Sequence, residues 1–485
     1  MKFLIKLFPE ITIKSRSVRK QQTRVLCQNI RRLLNRMDEN IRVVSLWDRV
    51  EVGNVTDGPL HDQVAEALQR IPGIGQILEV HDYPLTTFDE VLERTLPVYR
   101  EVLAGKTFAV RVKRAGKHPF SSKDLEVHLG SGLIQRTEAS GVNLSQPDVT
   151  VRIEVRNDRF YIVEKRYAGL GGFPIGSVDA VLSLISGGYD STVSTYMAMR
   201  RGLRSHFLFF NLGGTAHEAG VKQVALYLWQ RYGASHRVRF VTVPFEGVVA
   251  ELMRHVDHSH MGVILKRMML RAAERVCQNL KVSALVTGES VAQVSSQTLA
   301  NLTVIDKATD MLVMRPLGLM DKQEIIRLSV EIGTEEFARN MPEYCGVISD
   351  RPTVCAKPER VAEEEARFDF SVLDEALAAH RVMYVDEVLD AMETPCGEVG
   401  LVQTPRLEDV VIDIRHPGEE ERSPLVLTNN EVLRIPFYEL NERFVDLPAQ
   451  RRYLLYCDQG AMSRLHAGHL KAAGHGNVLV FSPSA

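Results

Sequence analysis

The sequence predicts a multidomain α/β and α+β protein. Small sheets with helices come first, a doubly wound parallel sheet occupies the middle, and a small α/β domain ends the chain. Three observations predict it. The chain has 485 residues, enough for three or four domains. Its charge is segregated: residues 1–50 hold twelve Lys/Arg against four Asp/Glu (12 − 4 = +8), and residues 359–400 hold three against twelve (3 − 12 = −9). From Val178 onward, apolar runs of strand length alternate with helical periodicity, the pattern of a parallel sheet covered on both faces.

Bulk composition excludes several classes. Charged residues at 25% and hydrophobic at 45% are those of a soluble globular protein. Six cysteines in this length make no disulfide framework, and no pair has zinc-ligand spacing. The N-terminus, MKFLIKLF, lacks the apolar core of a signal peptide, and no run approaches a membrane-spanning length. The cytoplasm is the expected address.

In chain order, residues 2–8 alternate as a strand. Residues 17–37 read as an amphipathic helix with Val18, Val25, Ile30, Leu33, Leu34 and Met37 as its buried stripe; Cys27 among them reads as core. Strands are expected at 41–47 and 49–55, a helix at 60–69, a strand at 76–83 and a helix at 88–102. Thr107–Ala115 alternates as a strand whose outward residues Arg111 and Lys113, with Lys117 beyond it, are basic. A helix at 123–137 and a hairpin of Val149–Arg156 and Phe160–Lys165 close the region. Such basic faces are either solvated surface or phosphate-backbone contacts in which Lys and Arg replace counterions. Composition leaves both readings open.

Ala168–Ser177 is rich in glycine and proline and reads as a linker. A buried strand follows it, then Ser186-Gly187-Gly188-Tyr189-Asp190-Ser191, then a helical pattern from Thr192 to Arg201. A strand, a glycine turn and a helix N-terminus aim backbone N–H groups and the positive end of the helix dipole at one point. The glycines let the backbone approach a ligand closely. Ser186 and Ser191 add hydroxyls, and Asp190 is a candidate magnesium ligand. The chemistry suits a pyrophosphate. An ordinary strand-to-helix turn with a serine cap is the bland alternative; the full string with its flanking elements outweighs it.

Further strands are expected at 207–212, 238–245 and 284–288, with helices at 217–232, 262–280 and 321–332. Lys266 at a helix start, Gly288 at a strand end, Gln297 beyond it and, more weakly, Lys322 are nucleotide-contact candidates. Singly each is more often structural; their spacing after the glycine turn raises them together. Cys277 reads as inert core. Residues 357–393 read as an acidic, helix-rich connector. In the last domain, a strand at 410–415 and another at 451–456 deliver Cys457 to the turn Cys457–Arg464, followed by a helix to about residue 473. A cysteine facing successive N–H groups and a helix N-terminus is expected to have a depressed pKa, and the same groups would hold a persulfide anion.

The Ser186–Ser191 string lacks the lysine of a Walker loop. It resembles the PP-loop of ATP pyrophosphatases, which cleave ATP between its α- and β-phosphates and leave AMP on an acceptor oxygen. The Cys457 segment resembles a rhodanese domain, with one departure: Asp458 follows the cysteine, where thiosulfate-using members often carry Arg. That favours a protein persulfide as donor. Adenylation makes an oxygen a leaving group and a persulfide supplies the replacing sulfur. End to end, the chain resembles the tRNA 4-thiouridine synthetase family: a ferredoxin-like domain (1–61), a THUMP RNA-binding domain (62–166), a linker (167–177), a PP-loop domain (178–356), an acidic connector (357–403) and a rhodanese domain (404–485).

The resemblance implies the following. Leu184, Ile185, Ser186, Gly187, Gly188, Asp190, Ser191, Lys266, Gly288 and Gln297 would bind ATP, with Mg at Asp190. Arg111, Lys113 and Lys117 would contact tRNA, whose uridine at position eight is adenylated at O4. A cysteine desulfurase would load Cys457 with persulfide, and Cys345 would resolve the reaction through a transient disulfide with Cys457. Sulfur donation to the sulfur carrier protein of thiamine thiazole synthesis is implied as a second role. No membrane partner is implied, and a homodimer is compatible. Two rivals make different demands: a PP-loop amide ligase has no need of Cys457, and a sulfur-relay binding protein has no need of Asp190.

Overall fold

The computed structural model describes residues 1–46, 49–56, 58–212, 214–339, 341, 351–388, 400–415, 420–421, 423–436, 439–457, 461–472 and 474–483. The chain divides into two compact units, 1–178 with 199–203, and 179–198 with 204–485. Cys345, Cys396 and Asp458 lie outside the described residues.

The first unit is built on one eight-stranded sheet. Its strands are β1 (Lys2–Leu7), β2 (Arg42–Ser45), β3 (Arg49–Gly53), β4 (Ile74–Pro84), β5 (Thr107–Ala115), β6 (Gly141–Val142), β7 (Val149–Arg156) and β8 (Arg159–Ala168), in the order β2-β3-β1-β4-β8-β7-β5-β6. Strand β4 is antiparallel to β1 on one side and to β8 on the other, with Leu4 opposite Leu78 and Val80 opposite Val163. The period-two alternation of β1 puts Phe3, Ile5 and Leu7 on a core with Leu26, Ile30 and Leu34 of the helix Arg16–Leu34 and with Val64 and Leu68 of the helix Pro59–Gln69. A second core joins Phe108, Val110, Ile153 and Phe160 to the helices Phe88–Leu103 and Ser122–Arg136. The latter helix starts in a capping box between Ser121 and Asp124.

The opposite face carries charge. Lys2 and Arg159 pair with Asp82, Lys6 and Arg156 with Glu154, and Arg49 with Glu51. The stripe expected on the first long helix is corrected in part. Val18 and Met37 are exposed, because one lies in the first turn and the other beyond the helix end at Leu34; Leu26 is buried instead, and Cys27 is buried as expected.

The second unit carries a six-stranded sheet. Its strands are β9 (Ala180–Leu184), β10 (Arg204–Asn211), β11 (Arg239–Pro244), β12 (Ala284–Val286), β13 (Leu312–Met314) and β14 (Arg381–Tyr384), in the order β13-β12-β9-β10-β11-β14. The first five are parallel; β14 adds an antiparallel edge. The chain runs outward from β9 through β10 to β11, then returns to β12 on the other side. The order therefore reverses between β9 and β12, and a doubly wound sheet opens its ligand crevice at the carboxyl ends of those strands. Beneath it, Leu182, Leu208, Val243, Phe245, Ile264, Met268 and Leu285 form the core. Burying a side chain such as Phe245 contributes about 1.5–3 kcal/mol.

The helix Met261–Leu280 starts within one residue of the expected bound, and Lys266 lies in its second turn, not at its start. Gln297 ends a 3₁₀ turn, Ser295–Gln297. The acidic stretch supplies β14 and the helices Pro358–Glu365 and Phe370–Ala378, and its Val361, Phe368 and Leu373 join the same core.

The C-terminal sheet is β15 (Leu401–Val402), β16 (Val410–Asp413), β17 (Glu431–Arg434), β18 (Tyr453–Tyr456) and β19 (Val478–Phe481), all parallel in the order β15-β19-β18-β16-β17. Cys457 follows β18, and the helix Ala461–Ala472 leads back to β19.

Candidate active site

The crevice at the β9/β12 reversal holds the glycine turn. Beyond β9 the chain passes through Gly187 at φ +85°, a left-handed conformation that glycine adopts without strain. The turn is tied to itself. The Ser186 N–H donates to Ser191 Oγ (3.1 Å), and the Ser191 hydroxyl donates to the Gly188 carbonyl (3.2 Å). One layer down, the Ser183 and Thr195 hydroxyls meet at 2.6 Å, fixing the helix Tyr189–Arg200 to β9. Gly288 follows β12 and lies against this turn. A Cβ there would stand 2.6 Å from the Asp190 carbonyl carbon and 2.7 Å from the Ser191 nitrogen. Only glycine lets the end of β12 approach the first turn of the helix Tyr189–Arg200 so closely.

A cavity of about 400 Å³ opens at this junction. It is lined by Leu184, Ile185, Ser186, Gly188, Asp190, Ser191, Lys266, Gly288 and Gln297, so all the expected nucleotide contacts except Gly187 border one space. Lys322 lines it too: its Nζ donates to Asp190 Oδ1 (2.8 Å), and Gln293 Nε2 donates to Oδ2 (2.7 Å). Lys266 Nζ donates to Glu289 Oε1 (2.7 Å). Glu289 Oε2 accepts from Arg315 Nε (2.8 Å) and from the Thr287 hydroxyl (3.1 Å). Burial pushes the Glu289 carboxyl up, but Lys266 and Arg315 outweigh it and hold it below the usual carboxylate range. His217 borders the cavity edge-on to Phe209, and burial holds its pKa down.

Sequence reasoning passed over Glu289, Gln293 and His217. Glu289 directly follows the candidate Gly288 in the sequence; Gln293 and His217 give no pattern signal, since nothing in their spacing says that they face the turn.

Cys457 is half-buried. The Ser463 N–H donates to its Sγ at 3.3 Å, and the Ser463 hydroxyl lies 3.4 Å away. That N–H belongs to the first turn of the following helix, Ala461–Ala472. At the end of the neighbouring strand β16, Asp413 and Arg415 form a buried ion pair (2.6 Å), and the Arg415 guanidinium lies 5.0 Å from the Tyr456 ring. The other described cysteines differ. Burial pushes Cys277 up to about 12 and raises Cys27; Cys355 is exposed. In the first unit, Arg111 and Lys113 are exposed on one face of β5, and Lys117 is exposed beyond the strand end. Arg111 Nη2 donates to the Leu144 carbonyl (2.6 Å).

Three family models match the chain: a ThiI ferredoxin-like domain over residues 2–77, a THUMP domain over 86–163 and "Thiamine biosynthesis protein (ThiI)" over 176–370. Proteins called tRNA sulfurtransferase match over 100% of both chains: one from Marinobacter nauticus is 58% identical, one from Pseudomonas aeruginosa 53% and one from Yersinia pseudotuberculosis 52%. Among solved structures, a 4-thiouridine synthetase in complex with RNA and bound ATP is 26% identical with a TM-score of 0.70, covering 79% of this chain and 99% of that one. A Pyrococcus horikoshii protein, 18% identical with a TM-score of 0.53 over 69% of this chain and 100% of its own, shares the fold. Full-length identity above half, with the three domain matches in order along the chain, places this protein in the tRNA sulfurtransferase family.

Proposed function

We propose that this chain transfers sulfur to tRNA at the expense of ATP, converting the uridine at position eight to 4-thiouridine. What supports it most is one convergence: the glycine turn, Asp190, Lys266, Gly288 and Gln297 border a single cavity at the strand-order reversal. The residues fit the ligand. Gln297 is buried, and its Oε1 has no hydrogen-bond partner among the described residues, so an acceptor is left for the amino group of adenine. The turn and the Gly288 approach leave backbone at the cavity wall for phosphate. Asp190 would hold magnesium once Lys322 and Gln293 give way, and the ion would neutralise charge on the phosphates.

In this reading, uridine O4 attacks the α-phosphorus and pyrophosphate leaves. The terminal sulfur of a Cys457 persulfide, loaded by a cysteine desulfurase, then attacks C4 and AMP leaves with the former O4. The base sulfur is now bonded to Cys457 Sγ. Attack by the Cys345 thiolate on Sγ releases 4-thiouridine and leaves a Cys345–Cys457 disulfide, which a dithiol reductant reopens. Ser463 N–H, donating to Sγ, stabilises the sulfur anion as it loads. Arg111, Lys113 and Lys117, exposed on and beyond β5, contribute phosphate contacts. The same persulfide would serve the sulfur carrier protein of thiamine thiazole synthesis, and the C-terminal parallel sheet would act as the rhodanese domain.

The test supplies tRNA, ATP and a persulfide donor carrying labelled sulfur. AMP and 4-thiouridine should form in equal amounts. Asp190→Ala should abolish both while Cys457 still takes up label; Cys457→Ala should abolish thiolation alone. Thiolation without AMP, or thiolation independent of Cys457, refutes the proposal.

A further inference from the structure

We propose that Glu289 is a positioning residue that sets how tightly the cavity holds polyphosphate, by pairing with Lys266 and surrendering it to an arriving phosphate. The inference rests on the reading of the cavity as a nucleotide site. Glu289 is 9% exposed and borders the cavity. Its two oxygens have unlike company. Oε2 is held by Arg315 (2.8 Å) and Thr287 (3.1 Å), and Arg315 is itself anchored by Asp306 (3.0 Å). Oε1 faces Lys266 alone among the described ion pairs (2.7 Å).

This asymmetry says which cation moves. Arg315 is a planar fork shared between two carboxylates; Lys266 is a single ammonium on a flexible stem at the cavity wall. When Lys266 turns to a phosphate, Glu289 keeps Arg315 and Thr287. No buried charge is orphaned, so the exchange avoids the usual penalty of breaking a buried pair. When pyrophosphate forms, Glu289 competes for Lys266 again and helps the product leave. The carboxylate thus trades affinity for release.

The experiment measures binding of inorganic pyrophosphate and of ATP to the full chain by calorimetry. It compares wild type, Glu289→Gln, Lys266→Ala and the double variant, with thermal melting as the folding control. Gln keeps the shape and the contacts to Arg315 and Thr287 but gives Lys266 no opposing charge. Pyrophosphate affinity should rise by about fivefold or more. In the Lys266→Ala background the same substitution should change it by less than about twofold, since the effect runs through Lys266. In turnover, kcat and KM for ATP should fall together, because release slows. Affinity that is unchanged or weaker in a folded Glu289→Gln protein, or an equal gain without Lys266, overturns the inference.

Should Glu289→Gln not fold, Glu289→Asp decides. It keeps the charge beside Arg315 but withdraws it from Lys266, and it should tighten pyrophosphate binding in the same direction; no change or a loss overturns the inference. Wild type that binds neither ligand overturns the nucleotide reading and the inference with it. Wild-type binding with an inert Glu289 overturns the inference alone.

Discussion

Gly288→Ala is the sharpest perturbation of the site. The new Cβ would stand 2.6 Å from the Asp190 carbonyl carbon, 2.7 Å from the Ser191 nitrogen and 2.8 Å from the Asp190 oxygen, where ordinary contact begins at 3.4 Å. Something must retreat by 3.4 − 2.6 = 0.8 Å. No side-chain tip can yield, because all three atoms are backbone. Nor is the turn free to swing, since Ser191 Oγ accepts from the Ser186 N–H and its hydroxyl donates to the Gly188 carbonyl. Overpacking of this kind costs about 1–3 kcal/mol of stability. A shift approaching 1 Å at the reacting groups costs on the order of 10²-fold in rate, or about 2.7 kcal/mol. The assay is kcat/KM for ATP, read as AMP released in the presence of tRNA, beside the melting temperature and labelled-sulfur uptake at Cys457. The expected result is a fall of about 10–100-fold, a melting point lower by a few degrees, and unaltered uptake at Cys457. Gly188→Ala is the contrast: its Cβ would meet nothing closer than Ser186 Oγ at 3.8 Å, so the fold should keep its melting point. Wild-type AMP production by Gly288→Ala would refute the claim that β12 abuts the turn through backbone alone.

Two further outcomes follow from groups away from the cavity. His206 is held down to about 4 by burial and then by Arg204 and Arg239, and its Nδ1 accepts the Arg239 N–H (2.9 Å). The unfolded state therefore binds the extra proton between pH 6.5 and 4, and stability present above that window is lost on acidification, by about 2 kcal/mol at pH 5. His206→Asn keeps the acceptor without the titration, so its stability, from denaturant melts of the second unit, should change less between pH 8 and pH 5 than that of wild type; equal slopes refute the assignment. Asp413→Asn removes one carboxylate from a buried ion pair with Arg415, and breaking such a pair costs about 3–5 kcal/mol. Limited proteolysis should then release the C-terminal region far faster than in wild type, and equal rates would show that the pair carries no stability.

Much of the fold could be read from periodicity. Strands such as Thr107–Ala115 and the long helices carry their pattern in eight or more residues. The pieces not foreseen are short or lack pattern: β13 has three residues, β14 lies within an acidic stretch, the helix Glu246–His255 has no side-chain cap at its start, and Leu299–Asp306 is only eight residues long. The site was half legible. A strand, a glycine turn and a helix fix Asp190 and Ser191 locally, so the string announces them. Lys266, Gly288 and Gln297 reach the same cavity from three separate segments, which the spacing suggested but could not place. Glu289, Gln293 and His217 act through neighbours distant in sequence, and no local pattern encodes a partner brought close by sheet topology.

Strand β4 has a consequence for how the front of the chain can be divided. Its residues between 74 and 80 pair with β1 along one edge and 76–84 pair with β8 along the other, so it belongs to both halves of the eight-stranded sheet. A fragment ended at residue 61 would bare the flank of β1, and one begun there would bare the flank of β4; either presents an open template for aggregation. For the same reason no hinge can lie between the halves, since bending there would unzip the ladder. Any ligand long enough to span both would be gauged against a stiff ruler whose marks cannot slide.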